Sequence, residues 1–201
     1  MRVSRVVVAA AAAAVMSVGV LTGAAQAATL PANPPTSITT LPGVAPALLT
    51  AGVLPSVSGT GAKQVVVGSI FSKALKVVWV FPNTGLKTAG VTHTGTLTLS
   101  RTVKGKVHKI SLANFTVSLK NKDVTAYVAA LKTRIKVFSL SGIVIKTKVA
   151  LHGHLATHAT GVLAIANSAV AKALGAALGF TKNPFTAGEK LATASVWIYT
   201  A

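Results

Sequence analysis

The chain has 201 residues, and its 20 lysines and arginines against two acidic residues give a formal net charge of +18 at pH 7. It contains no cysteine, which excludes disulfides, thiolate metal sites and thiol catalysis. The two acidic residues, Asp123 and Glu189, are the only pair available for a paired-carboxylate hydrolase. No nucleophile elbow and no P-loop accompanies them, so we expect a protein that is not an enzyme.

Residues 1–27 have the organisation of a secretory signal peptide. Arg2 and Arg5 form a short positive segment, an apolar run follows over residues 6–20, and residues 25–27 read Ala-Gln-Ala. This small-x-small pattern predicts cleavage before Ala28. We therefore expect a secreted protein, extracellular or associated with the cell wall, with no transmembrane span after cleavage.

Residues 28–62 contain six of the eight prolines, among serine, threonine and glycine. This composition predicts a leader that precedes the folded domain and is mostly mobile. Within the leader, residues 41–52 predict one short helix, with Thr39 or Thr40 as its cap and Gly52 as its stop.

Residues 63–201 have the pattern of a basic β domain. Apolar residues alternate with polar ones at Leu75, Val77, Trp79 and Phe81, and similar short segments recur every 8 to 12 residues. The alternation changes phase at residues 113–114, which predicts a β-bulge. Further strands are expected over residues 63–70, 97–103, 110–119, 124–128, 135–140, 143–151 and 191–199.

One helix is expected inside this β pattern, over residues 168–178, with Asn167 as N-cap and Gly179 as stop. Together these segments predict a mainly β fold. We expect an antiparallel sandwich or an open barrel with one or two short helices.

Cationic residues alternate along the predicted strands between residues 132 and 148. Because residues two apart share a face of a strand, they would form a positive face. Of the basic residues after position 27, sixteen are lysines and two are arginines, which favours diffuse attraction to a polyanion over base-specific reading of nucleic acid. Two other interpretations stay open: lysines that protect an edge strand from aggregation, and charge that serves solubility. The predicted anion-binding residues are Lys132, Arg134, Lys136, Lys146 and Lys148.

The segment His152-Gly153-His154 would place two imidazoles on one side of a strand, as in some metal sites. The same alternation places Lys146 and Lys148 on that side, opposite the apolar residues of the strand. Neighbouring lysines repel a cation, so exposed histidines on a basic face are the competing interpretation.

Three segments resemble secreted actinobacterial β proteins: residues 91–99 (VTHTGTLTL), 107–115 (VHKISLANF) and 185–194 (FTAGEKLATA). Their order is similar to that of the haem-acquisition domain HtaA. The resemblance implies an exported β domain that could capture haem through a tyrosine and a histidine. The candidates are His93, His108, His152 and His154, together with Tyr127 or Tyr199.

The sequence therefore predicts a non-enzymatic binding or structural protein. Its partner would be an anionic polymer of the cell envelope or an acidic polysaccharide, with no specific nucleic acid and no required cofactor. The alternative is haem or metal binding of the HtaA type.

Overall fold

A computed structural model of the chain describes residues 32–69, 72, 74–88 and 90–199. The predicted signal, residues 1–27, lies outside these ranges. The described strands are β1 Thr36–Thr40, β2 Val53–Ser58, β3 Lys63–Val67, β4 Lys76–Phe81, β5 Asn83–Lys87, β6 Gly90–His93, β7 Thr96–Val103, β8 Lys106–Ser118, β9 Asp123–Val128, β10 Thr133–Leu151, β11 His154–Ile165 and β12 Lys190–Tyr199. The helices are α1 Val44–Thr50 and α2 Ser168–Ala177, and Ala129–Leu131 forms a single 3₁₀ turn.

The described strands form one antiparallel sheet in the order β2-β7-β8-β9-β10-β11-β12-β1-β4-β3. β6 pairs with β8 and carries β5 on its other side. The two ends of this order, β2 and β3, are consecutive in the chain and joined by a tight turn. In that turn Gly59 has φ +116, and a Cβ on it would lie 2.9 Å from the Cα of Gly95. The sheet therefore curls into a nearly closed barrel, and the predicted mainly β antiparallel fold is confirmed as an open barrel.

The core lies on the concave side of this sheet. The alternating residues Leu75, Val77, Trp79 and Phe81 are all buried, as their spacing predicted. Phe81 packs against Phe115 with ring centroids 5.0 Å apart. Because each strand turns alternate side chains inward, the other face of the sheet is convex and carries most of the polar residues.

The predicted bulge is present in β8. The register between β8 and β9 shifts between Ala113 and Thr116, and Asn114 adopts a φ of 50°. Leu112 before the bulge and Phe115 after it are both buried. The extra residue thus explains why the apolar positions change from even to odd numbers.

Helix α2 begins as its sequence predicted. The side chain of Asn167 accepts a hydrogen bond of 2.9 Å from the backbone N–H of Val170, and Gly179 beyond its end has a φ of 69°. Val170, Leu174 and Leu178 are buried against the sheet. Neither described helix has the length and apolar content required to cross a bilayer.

The predicted leader contributes two strands and a helix to the barrel. β1 pairs with both β12 and β4, and β2 pairs with β7. Helix α1 is shorter than expected and follows Gly43, with no side-chain cap, because Thr39 and Thr40 belong to β1. The sequence did not indicate these strands for two reasons. β1 has only five residues, so its alternation of apolar and polar positions is too short to recognise. β2 contains Pro55, which is tolerated because β2 is an edge strand.

Strand β10 is longer than the sequence indicated. Two strands were expected, over residues 135–140 and 143–151, but the chain continues through Gly142 as one 19-residue strand. Gly142 has a φ of 57° and lies at a register shift between Ser141 and Val144. Its conformational freedom is used here for a bulge and not for a turn.

Candidate functional site

Arg134 is the best-positioned cation of the predicted anion-binding residues. Its Nη1 donates to Thr116 Oγ1 at 3.2 Å and to Thr125 Oγ1 at 3.2 Å, with the Thr125 carbonyl at 3.4 Å. These threonines lie on β8 and β9, so the side chain extends across the convex face of three strands. Among the described residues, no acceptor is bonded to Nη2 or Nε, which leaves these donors available to a ligand.

Tyr127 lies directly beside Arg134. The two residues are paired across β9 and β10, and Ala113 of β8 is paired with Tyr127 on its other side. Directly opposed residues have Cβ atoms about 5 Å apart. Tyr127 is 38% exposed, so it adds an apolar surface with a hydroxyl to the cationic group.

Lys136 and Lys132 flank Arg134 differently. Lys136 shares its face of β10, and its Nζ lies 3.9 Å from a carboxylate oxygen of Asp123. Lys132 is exposed but has a φ of 49° at the end of the 3₁₀ turn. The expected stripe of three alternating residues in one strand is therefore wrong for Lys132, because the strand begins only at Thr133. We name Tyr127, Arg134 and Lys136 the Arg134 face.

Lys146 and Lys148 lie on a separate part of β10. Ten residues separate Lys136 from Lys146, which corresponds to about 30 Å of extended strand. Lys148 has a φ of 54° at a second register shift, between Lys146 and Val149. Ile145 on the predicted apolar side is 42% exposed. Bulges break the alternation, so the five cations form two clusters and not one continuous face.

We call residues 141–155, which form the end of the β10–β11 hairpin, the distal arm.

The two histidines of the His-Gly-His segment do not share a strand face. β10 ends at Leu151 and β11 begins at His154, and His152 and Gly153 have φ values of 49° and 79°. Positive φ at both central residues makes this a tight hairpin turn. The predicted arrangement of two imidazoles two residues apart on one strand is therefore wrong.

Both of these histidines instead contact Tyr199 on the neighbouring β12. His152 Nδ1 lies 3.0 Å from the phenolic oxygen of Tyr199. The rings of His154 and Tyr199 are inclined at 63° to each other, with centroids 5.5 Å apart. The sequence could not select this tyrosine, because 47 residues separate it from His152.

His158 occupies the convex face beside this cluster. Its ring stacks on Trp197 with centroids 3.8 Å apart and an interplanar angle of 8°. Its Nε2 lies 2.8 Å from Ser195 Oγ. Partial burial and the positive charge of Lys146 lower the pKa of His158, so the ring is held neutral around pH 7. Within the described ranges, no three histidines or carboxylates converge as a metal site would require.

His93 lies in the core and is 3% exposed. Its Nε2 is 2.6 Å from Thr36 Oγ1 and its Nδ1 is 3.4 Å from the Phe115 carbonyl. Burial lowers its pKa to about 4. Tyr127 lies on the opposite, convex face, so the predicted pairing of His93 with Tyr127 around one haem does not fit this fold.

A shallow open cleft lies between the start of α2 and the loop that follows this helix. It has a volume of about 470 Å³, and its lining includes Ser168, Lys172, Asn183 and Phe185. The Asn183 side chain is already bonded to the Ala171 and Phe185 backbone. The cleft thus offers one lysine and no converging set of catalytic groups.

Comparison of the chain with protein-family models, with curated proteins and with solved structures finds no match. The resemblance to the HtaA domain remains a prediction.

Proposed function

We propose that this protein is a secreted, non-enzymatic binding protein. The Arg134 face would hold an acidic polysaccharide or another anionic polymer of the cell envelope. The observation that carries this proposal is the arrangement of Arg134, which is fixed by two threonines through one nitrogen and lies beside an exposed tyrosine.

The chemistry of these groups suits a carboxylated or phosphorylated polymer. A guanidinium matches carboxylate and phosphate oxygens with two parallel hydrogen bonds. Because Thr116 and Thr125 already orient Arg134, little side-chain entropy is lost on binding. The ring of Tyr127 would provide a flat surface for a sugar or a polymer backbone.

The lysines contribute attraction without directional preference. With 18 basic residues after position 27 against two acidic ones, the secreted protein would attract any polyanion over a distance set by the ionic strength. The distal arm places Lys146 and Lys148 about 30 Å from Lys136 along β10. This separation favours an extended polymer that contacts both clusters over a small ion that would fill one site.

The two carboxylates support a non-enzymatic role. Asp123 is paired with Lys136, and Glu189 accepts hydrogen bonds from the backbone and hydroxyl of Thr186. Each carboxylate therefore has a local structural partner.

Sedimentation with a polymer across a salt series tests the proposal. The purified protein is mixed with polygalacturonate, with isolated bacterial envelopes and with uncharged dextran. We expect binding to the first two that weakens steeply as salt rises, because exposed charges are screened. We expect no binding to dextran.

Two variants locate the binding surface. Arg134→Gln should weaken binding about tenfold, which corresponds to roughly 1.4 kcal/mol. Lys182→Gln removes the same charge from the exposed loop after α2 and should change binding less than twofold. If both variants lost the same amount of binding affinity, the positive charge would act diffusely over the whole protein. That result would contradict a defined binding face.

Haem binding is a second candidate, favoured by the contact between His152 and Tyr199. A phenolic oxygen is a known haem ligand, and the neighbouring imidazole could accept its proton. The donor pair fits ferric haem chemically, although Tyr199 is only 9% exposed and the site would have to open. Titration with hemin should give a shifted Soret band that Tyr199→Phe removes, and an unchanged spectrum would refute this candidate.

A further inference from the structure

β3 is an edge strand with an exposed apolar sequence. It pairs with β4 on one side, and no described strand is paired with its other side. All five of its residues are exposed, and Val65, Val66 and Val67 have exposed fractions of 48%, 53% and 52%. Its free backbone N–H and C=O groups are therefore a template for another strand.

Two other free strand edges in the described structure, on β2 and β10, carry protective features. β2, at the opposite end of the strand order, contains Pro55, which lacks a backbone N–H. The free edge of β10 beyond Ser141 carries Lys146 and Lys148 and is interrupted by two bulges. Proline, lysine and bulges are the devices that prevent edge pairing. By contrast, β3 carries one charge, Lys63 at its start, and contains no proline. None of its residues has a positive φ, and the first such residue after the strand is Gly68.

We propose that β3 forms the interface of a homodimer, in which it pairs antiparallel with β3 of a second copy. Two-fold pairing centred on Val65 places Lys63 opposite Val67 of the other strand. No like charges then face each other directly, and each copy satisfies the free backbone groups of the other. The two barrels would share a continuous sheet.

The chemistry of the edge favours a second copy over other partners. An acidic segment would be recognised by lysines, and the lysines are concentrated on β10 and not on β3. Pairing of β3 with β2 of another copy would give an open chain of molecules, but Pro55 in β2 opposes it. The short interface implies a reversible dimer whose fraction rises with concentration.

The salt dependence of dimerisation should differ from the salt dependence of polymer binding. Two copies that each carry a large positive charge repel one another, and salt screens this repulsion. We therefore expect dimerisation to strengthen as salt rises, whereas polymer binding by the Arg134 face should weaken. Loss of one behaviour does not imply loss of the other.

The test is analytical ultracentrifugation of the purified protein from about 1 μM to about 1 mM, a range that detects weak association. Val65→Lys and Val65→Glu would each place two like charges opposite one another and should each give monomers. An equimolar mixture of the two variants should restore the dimer, which also shows that both variants are folded. Val144→Lys is the matched control, because Val144 is 53% exposed on the distal arm; it should dimerise as the parent does.

Three outcomes would overturn the proposal. A parent protein that stays monomeric over the whole range has no such interface. A dimer that survives both substitutions at Val65 uses another surface. Oligomers that grow beyond the dimer would point to β3–β2 pairing and not to a two-fold contact.

Discussion

Arg101 and Arg134 are the two arginines among the described residues, and they use their donors in opposite ways. Arg101 donates to the carbonyl oxygens of Ala51, Leu178 and Gly179 at 2.9, 3.4 and 3.1 Å. Its guanidinium also lies 3.9 Å from the centre of the Phe180 ring. Arg134 uses a single nitrogen, on the convex face. Arg101 is thus tied to three backbone carbonyls, whereas Nη2 and Nε of Arg134 have no bonded acceptor among the described residues.

This contrast reflects the two faces of the sheet. By strand alternation Arg101 lies on the same side as Leu97 and Leu99, where the ends of both helices also meet it. In the described part of the chain, no buried polar side-chain atom lacks a hydrogen-bond partner. Each buried polar side-chain atom is thus bonded within the described structure, whereas Arg134 on the convex face keeps unpaired donors.

The largest expected effect is the loss of the Arg101 contacts. Arg101→Ala should lower the free energy of unfolding by about 4 kcal/mol, because several charge-assisted hydrogen bonds to helix ends disappear together. Urea denaturation measures this change. Polymer binding per folded molecule should stay within twofold of the parent protein, and a large loss of binding with unchanged stability would break the comparison.

A second test of the interior concerns His93. Burial lowers its pKa from 6.5 to about 4, so the unfolded chain takes up a proton more readily than the folded protein. Stability should therefore fall as pH decreases from 6.5 to 4, by about 3 kcal/mol in total for this group. His158, whose pKa is also lowered, adds to the same trend.

Urea denaturation at pH 7, 5.5 and 4 gives this pH dependence. His93→Gln should be less stable at pH 7, because it disturbs the contact with Thr36, but its stability should depend less on pH. A pH dependence that is identical in the parent and the variant would assign acid destabilisation to other groups.

On the convex face, Arg134→Lys tests whether polymer binding depends on the planar guanidinium or only on the positive charge. The substitution keeps one positive charge but loses the planar fork that the threonines orient. We expect polymer binding to weaken about threefold, less than for the glutamine variant. Binding equal to that of the parent would make Arg134 one cation among many.

The smallest expected effect comes from the distal arm. Lys146→Gln combined with Lys148→Gln should weaken binding of long polymers about twofold. Short oligomers that span only the Arg134 face should bind as before. Sedimentation with polymers of two lengths distinguishes these cases, and an equal loss for both lengths would contradict a second contact.

The sequence predicted the local features of this fold because they depend on neighbouring residues. The Asn167 cap, the bulge near Asn114 and the buried alternation of β4 all follow from spacing within about ten residues. Arg101 and Arg134 could not be distinguished in this way, since Arg101 lies on a predicted strand and Arg134 directly before one. Their roles depend on carbonyls and hydroxyls that are brought near by the fold, as with Arg101 and Gly179, 78 residues apart.

The same limit applies to the histidines. The two-residue spacing predicted that His152 and His154 lie on one face of a single strand. The positive φ values of His152 and Gly153 instead form a turn between two strands. Tyr199, which both contact, is contributed by the last strand. Spacing also could not reveal that β1 belongs to the barrel, because its neighbours β4 and β12 come from distant parts of the chain.

The position of β1 has a consequence for how the barrel assembles. β1 joins two arcs of the sheet, since β12 on one side and β4 on the other are not paired with each other, and Thr193 reaches the Thr39 carbonyl across 154 residues of chain. Contacts of this sequence separation form slowly, because the intervening chain must be ordered first. We therefore expect closure of the barrel to be a late step in folding, because β1 can pair with β12 only once the whole chain is available. Until then the chain would remain two separate arcs of sheet that are not yet joined into a barrel.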